Sequence, residues 1–216
     1  MNPAPATHPP PERVVVYIDG FNLYFGLKSK GWRRFYLLDV HALSQSLLKP
    51  NQQLVAVKYF TSRVSASPAD PDQARRQSTY LEALSTLPDT SIFFGHYLAK
   101  PIRCHSCGSQ WTKHDEKMTD VNIATELLVD AFQERYDTAL LISADSDLAG
   151  PIIKVRGLFP AKRVIVVFPP DRVSERLRRE ANYAFTLGRS NIAQSQLLDP
   201  VQKPDGFLLN RPATWV

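Results

Sequence analysis

Apolar residues gather in short runs along this chain, and the stretches between them carry apolar positions at helical spacing. Val14–Ile18 is one such run, β-branched and continuous, and it ends in Asp19 and Gly20. A run without polar alternation suits a strand buried on both faces, as in a parallel sheet, and Gly20 permits a sharp turn after it. Leu54–Phe60, Ser91–Leu98, Thr138–Ser143 and Arg163–Phe168 read as further strands, with Phe185–Leu187 as a short edge strand. Helices fill the intervals. One starts at Phe21 and stops near Gly31. Asp39 caps a second, to about Leu48, before Pro50. Asp70, Pro71 and Gln73 suit the cap, first helical position and capping-box partner of a third, which runs to about Leu87. In Asp120–Glu134, Ile123, Leu127 and Ala131 recur on one face with Ala124 and Leu128. Pro151–Arg156 and Ser174–Tyr183 complete the set.

Strands and helices alternate. The pattern predicts an α/β protein, a three-layer α/β/α sandwich of Rossmann-like type with a mainly parallel central sheet. One domain is expected over residues 12–199, with a polar, irregular loop at 100–117. A Pro/Ala-rich leader, residues 1–11, reads as disordered, and residues 200–216 as an extended tail with little periodicity.

The chain has 216 residues, 44% hydrophobic and 22% charged, enough for a sizeable core. No apolar stretch approaches the roughly 20 residues that span a bilayer, and the N-terminus lacks a signal-peptide core. No membrane association is expected. The two cysteines, Cys104 and Cys107, form no disulfide framework, so the default location is cytoplasmic. A net charge of +5 favours a polyanionic partner. The distribution sharpens this, since Lys154 to Arg179 holds eight basic residues against two acids. Such a run is either a solvated surface or a face that tracks phosphates, with Arg172, Arg176, Arg178 and Arg179 as its contacts.

Ligands of parallel α/β sheets sit outside the carboxyl ends of the strands. Asp19 follows one apolar strand there, and Asp145 and Asp147 follow another. Asp120 opens the helix before that second strand, on the same edge, in register with the inward-facing Ile123, Ala124 and Leu127. Four convergent carboxylates repel one another. Mg²⁺ or Mn²⁺ relieves the repulsion, because hard cations take oxygen ligands, and metal-assisted phosphodiester hydrolysis follows from that set. Asn22 is placed to orient a carboxylate or a substrate phosphate, and Ser143 to bind a water or a metal ligand. Each residue also has a plainer role: Asp120 or Thr119 as a helix cap, Asp147 as a cap for the Pro151 region, Asp19 and Gly20 as a turn. The grouping of three acid stations at one edge is what favours the site.

These same residues carry a family resemblance. Val15–Leu23 resembles the opening motif of NYN domains, of the LabA-like branch of the PIN-like nuclease superfamily. Glu116–Ala124 resembles the second motif and Leu141–Leu148 the third, with Ala144 where that family often has Gly. The order and approximate spacing agree over roughly residues 13 to 190. The resemblance implies a PIN-like fold, an acidic Mg²⁺ or Mn²⁺ site at Asp19, Asp120, Asp145 and Asp147 with Asn22 nearby, and ribonuclease activity. The alternative is a non-catalytic RNA-binding or regulatory module on the same fold. A phosphatase that forms a phospho-aspartate is disfavoured, because its acid pair follows the first strand and this one comes late.

Cys104 and Cys107 make half of a zinc ribbon, and zinc wants four ligands. His114 would be a third. A homodimer sharing the site is one arrangement that supplies the rest; two reduced loop cysteines need no metal. The loop leads into Asp120, so Trp111, Lys113 and Lys117 are candidates for RNA contact. His41, His96, Tyr24 and Phe25 read as structural, the last two as core.

Overall fold

The computed structural model describes residues 9–66, 69–103 and 106–215, with backbone alone for 96–101 and 111–117. The chain runs β1 (Glu12–Asp19), α1 (Gly20–Ser29), α2 (Val40–Ser46), β2 (Gln52–Thr61), α3 (Gln73–Leu84) and β3 (Thr90–Phe94). A hairpin of β4 (His96–Arg103) and β5 (Gln110–Lys117) leads to α4 (Thr119–Phe132) and β6 (Thr138–Ile142). There follow α5 (Ala149–Leu158), β7 (Arg163–Phe168), α6 (Glu175–Glu180), β8 (Tyr183–Thr186) and α7 (Arg189–Gln194).

Six strands form one sheet in the order β3-β2-β1-β6-β7-β8, and every neighbouring pair is parallel. The expected three-layer α/β/α architecture is therefore present. Alternation along β1 builds its two cores. Val14, Val16 and Ile18 pack with α1, α2, α3 and α7 on one face. Val15 and Tyr17 pack with α4, α5 and α6 on the other. Both faces are covered, which is why the strand sequence runs apolar without alternation. Strand order reverses between β1 and β6, since the chain builds outward from β1 on one side and from β6 on the other. The loops after those two strands consequently flank the switch point, where a crevice opens.

Several elements differ from the sequence expectation. The expected strand over Ser91–Leu98 breaks at Gly95: β3 ends in the main sheet, and β4 turns away to pair antiparallel with β5. The stretch expected to be an irregular loop is thus largely a hairpin. Apolar periodicity does not reveal a strand pair as polar as this one. In α3 the N-cap position is Asp72, whose side chain pairs with Arg75 and makes no capping bond, and the Asp70 carboxylate is taken by Arg76. Asp39 does cap α2, accepting from the Ala42 N–H at 2.8 Å. The C-terminal stretch is not an extended tail. Val201–Gln202 pairs with Leu208–Leu209, and Val201, Leu209 and Trp215 are buried in the core with α1, α2 and α3. Tyr24 and Phe25 are correspondingly exposed rather than core. Of the leader, residues 1–8 lie outside the described residues.

Candidate functional site

Asp19 is the last residue of β1 and the N-cap of α1. Its Oδ1 accepts the Asn22 backbone N–H at 2.9 Å. Its Oδ2 accepts the Asn22 side-chain amide at 2.6 Å and the Ser143 hydroxyl at 2.9 Å. Gly20 follows without positive φ; it is glycine for want of space. A Cβ there would stand 2.6 Å from the Tyr59 ring and hydroxyl and 2.8 Å from the Phe60 carbonyl oxygen.

Ser143, fully buried just beyond β6, bridges the switch point. It donates to Asp19, and its oxygen accepts the Asp145 N–H at 3.0 Å. Asp145 in turn accepts the Asp147 N–H at 2.9 Å, capping the 3₁₀ turn Ser146–Leu148. So Asp145, not Asp147, has the capping role, and the Asp147 side chain is exposed. Asp19 is only 2% exposed. Burial raises its pKa, hydrogen bonds from Asn22 and Ser143 oppose that rise, and the nearby Asp145 charge adds to it. Among the described residues, no Lys or Arg forms an ion pair with Asp19, Asp145 or Asp147.

A cation reaches the cluster indirectly. Arg172 donates to the Asn22 Oδ1 at 3.2 Å, with its guanidinium 5.7 Å from the Phe25 ring centre. The approach depends on Gly26, where a Cβ would lie 2.6 Å from the Pro170 carbonyl oxygen. Arg176, Arg178 and Arg179 are exposed on or beside α6, and Arg178 pairs with Glu175 at 3.0 Å. The rest of the basic run is not one face. Lys162 is buried on Glu134 and the Tyr136 carbonyl, and Arg163 holds Glu12 and Thr138.

The structure joins Asp19, Asn22, Ser143 and Asp145 into one network and seats Arg172 on it. Asp120 is half-buried in the first turn of α4, and the bonds linking Asp19 to Asp145 do not run through it. Neither it nor Thr119 is the cap of α4; Met118 holds that position in the left-handed region, at φ 79°. Among the described residues no three of His, Cys, Asp or Glu are gathered so as to hold a metal ion. Of the four acids expected to converge, the hydrogen bonds join Asp19 and Asp145, with Asp147 two residues on in the turn that Asp145 caps. That set still fits a hard cation. Mg²⁺ commonly takes one or two carboxylates and keeps several waters, and Asp19 is a buried carboxylate contacted here by neutral donors only. Cys104 lies outside the described residues, as do the side chains of His114 and Lys117; the Cys107 sulfur is 3.1 Å from the Ser109 hydroxyl.

The NYN domain family profile matches residues 13–188. The chain belongs to the NYN domain family. Its fold is accordingly nuclease-like. This NYN domain is 27% identical, over 188 residues, to a 6-hydroxy-3-succinoylpyridine 3-monooxygenase of Pseudomonas putida. The alignment takes in 73% of this chain but 60% of that protein's length. The fold also matches the crystal structure of a Vibrio parahaemolyticus protein of unknown function, with a TM-score of 0.52 at 18% identity, covering 85% of this chain and 97% of that one. No helix among the described residues is long and apolar enough to cross a membrane.

Proposed function

We propose that this NYN domain is a divalent-metal-dependent ribonuclease that hydrolyses RNA phosphodiester bonds at the β1/β6 switch point. The observation that carries the reading is the buried Asp19 carboxylate, tied through Ser143 to Asp145 and lacking a cationic partner among the described residues. Asp19 and Asp145 are the residues that would hold Mg²⁺ or Mn²⁺, with Asp120 and Asp147 adding negative charge around them. The ion supplies Lewis acidity, lowering the pKa of water and offsetting charge on the phosphoryl oxygens. The chain does the positioning. Asn22 and Ser143 fix both oxygens of Asp19, and Arg172, poised by Asn22, meets the phosphate. The exposed Asp147 carboxylate takes the proton of the attacking water as its oxygen bonds to phosphorus, and the P–O bond to the leaving sugar breaks as that sugar oxygen takes a proton from solvent.

Incubating labelled RNA with Mn²⁺ tests this. Asp145→Asn is expected to lower cleavage about 10²-fold, as for other groups that stabilise developing charge; cleavage unchanged by the substitution would refute the assignment. Salt-sensitive binding without turnover under Mg²⁺ or Mn²⁺ would establish the non-catalytic RNA-binding module instead. The monooxygenase relative supplies a further assay: turnover of 6-hydroxy-3-succinoylpyridine with no RNA cleavage would replace the nuclease reading.

Arg172, Arg176 and Arg179 carry the strand in this reading. Arg172→Ala is expected to weaken single-stranded RNA binding and to reduce the log–log salt slope by about 0.7, the share of one phosphate contact. Titrations of a labelled oligonucleotide at several salt concentrations measure it. An unchanged slope would remove Arg172 from the interface.

A further inference from the structure

On the face of the sheet opposite α4 lies a cavity of about 120 Å³. Six aromatic residues line it, namely Phe21, Tyr24, Tyr36, Tyr59, Tyr80 and Trp215, and Arg76 stands at its wall. Five of the rings touch in series. Tyr24 meets Tyr36 at 5.1 Å between centres, Tyr36 meets Trp215 at 5.6 Å, Trp215 meets Tyr80 at 6.2 Å, and Tyr80 meets Tyr59 at 6.2 Å. The interplanar angles run from 56° to 85°, so none of these pairs is stacked face to face. Edge contacts of this kind leave ring faces unused for stacking.

Several polar groups of the wall are spent. Tyr80 donates to the Leu38 carbonyl at 2.9 Å. Gln77 donates to the Ser62 carbonyl and accepts the Val64 N–H, and Arg76 is paired with Asp70. The Tyr59 hydroxyl has no hydrogen-bond partner among the described residues, although the side chain is only 6% exposed. The sealed side-chain atom without a partner among the described residues is Gln196 Oε1, so the Tyr59 hydroxyl is open to the cavity, where a bound group can take its hydrogen bond. Burial, and then the Asp19 charge, keeps that hydroxyl protonated and able to donate. It lies over Gly20, the neighbour of Asp19.

We propose that this cavity binds one planar six-membered heteroaromatic ring, held among the six aromatic side chains and hydrogen-bonded by Tyr59. Size argues for one ring, since an apolar cavity of about 150 Å³ takes benzene; a fused bicyclic system overfills it. The ring has two sources: a pyrimidine base of RNA whose phosphate lies at Asp19 and Asp145, or a free heteroaromatic compound. Only the first source rests on the nuclease reading.

Calorimetric titration of the full chain with uridine 5′-monophosphate, 2-pyridone and guanosine 5′-monophosphate tests the inference. The two single-ring probes are expected to bind saturably and the purine nucleotide not. Tyr59→Phe is expected to weaken the bound probe by up to about 10-fold, the value of one hydrogen bond, while its thermal midpoint stays equal or rises. A purely structural hydroxyl would give the opposite pattern. Val64→Phe, in the loop at the cavity wall, is expected to exclude both probes. A nucleotide that binds more tightly than 2-pyridone assigns the ring to RNA, and the reverse order assigns it to a free compound. The inference is overturned if neither single-ring probe saturates at millimolar concentration, or if Tyr59→Phe binds as the parent does. Ring binding that survives in a protein unable to cleave RNA retires the nuclease reading alone; cleavage without ring binding retires this inference alone.

Discussion

Replacing Asp19 by Asn is expected to lower Mn²⁺-dependent RNA cleavage by about 10³-fold, the upper range for losing one group that manages charge at a reacting centre. The substitution keeps size but inverts one hydrogen-bonding face. Both carboxylate oxygens of Asp19 accept bonds, from the Asn22 backbone and side chain and from Ser143. An amide at that position sets a donor against a donor on one side. The same variant has a second readout, in stability with EDTA present. Burial raises the Asp19 pKa in the folded protein, so the folded state holds that proton more tightly than the unfolded chain does. Its contribution is fully present below the unfolded value of about 3.9 and is lost as pH rises through the raised folded value. The amide of the variant does not titrate and has no such loss. Urea midpoints should therefore move in favour of the variant, relative to the parent, as pH rises from the unfolded value through the raised folded one. Mn²⁺ at a hundred times its Kd should then stabilise the parent by about 2.7 kcal/mol and the variant scarcely at all. Equal Mn²⁺ stabilisation of both proteins would remove Asp19 from the metal site.

Asp19 and Asp145 were readable as partners because each follows an apolar run, and the end of a buried strand is a position that sequence marks well. What joins them was less visible. Ser143 suggested a ligand, but only the parallel pairing of β1 with β6 makes it the bridge. Asp120 shows the limit of register arguments. Sharing a helical face with Ile123 and Leu127 predicts an inward direction, and the side chain is half-buried; the bonds that link Asp19 to Asp145 run through Ser143 and not through it. The β4–β5 hairpin had no apolar period to announce it. The aromatic cavity left no local trace either, since its six rings come from α1, the segment before α2, β2, α3 and the C-terminal segment. Tyr59 looks like any aromatic residue in a strand until its hydroxyl is found unspent.

Lys58 is the residue whose environment the strand pattern conceals, and its removal carries the largest expected cost in stability. It interrupts the apolar run of β2 and is 6% exposed. Its ammonium lies 2.6 Å from Glu126 and 2.6 Å from Asp130, both on α4. Asp130 is fully buried and also accepts the Tyr17 hydroxyl at 2.6 Å, with Arg135 at 3.3 Å. This cluster pins α4 against the middle of β1 and β2, and so fixes the helix whose first turn carries Asp120. Lys58→Met leaves the buried Asp130 carboxylate short of its nearest cation, a loss that typically costs about 3–5 kcal/mol. For a domain of this size that is a fall of roughly 10 °C in thermal midpoint. Burying a charge pair is itself expensive, so an apolar replacement of its three buried members should recover much of the loss. The combination Lys58→Met, Asp130→Leu, Tyr17→Phe is therefore expected to be more stable than Lys58→Met alone, although it removes more hydrogen bonds. Urea unfolding of parent, single and triple variants measures this directly. A triple variant less stable than the single one would mean that the cluster contributes net stability, and that desolvation is not its dominant cost.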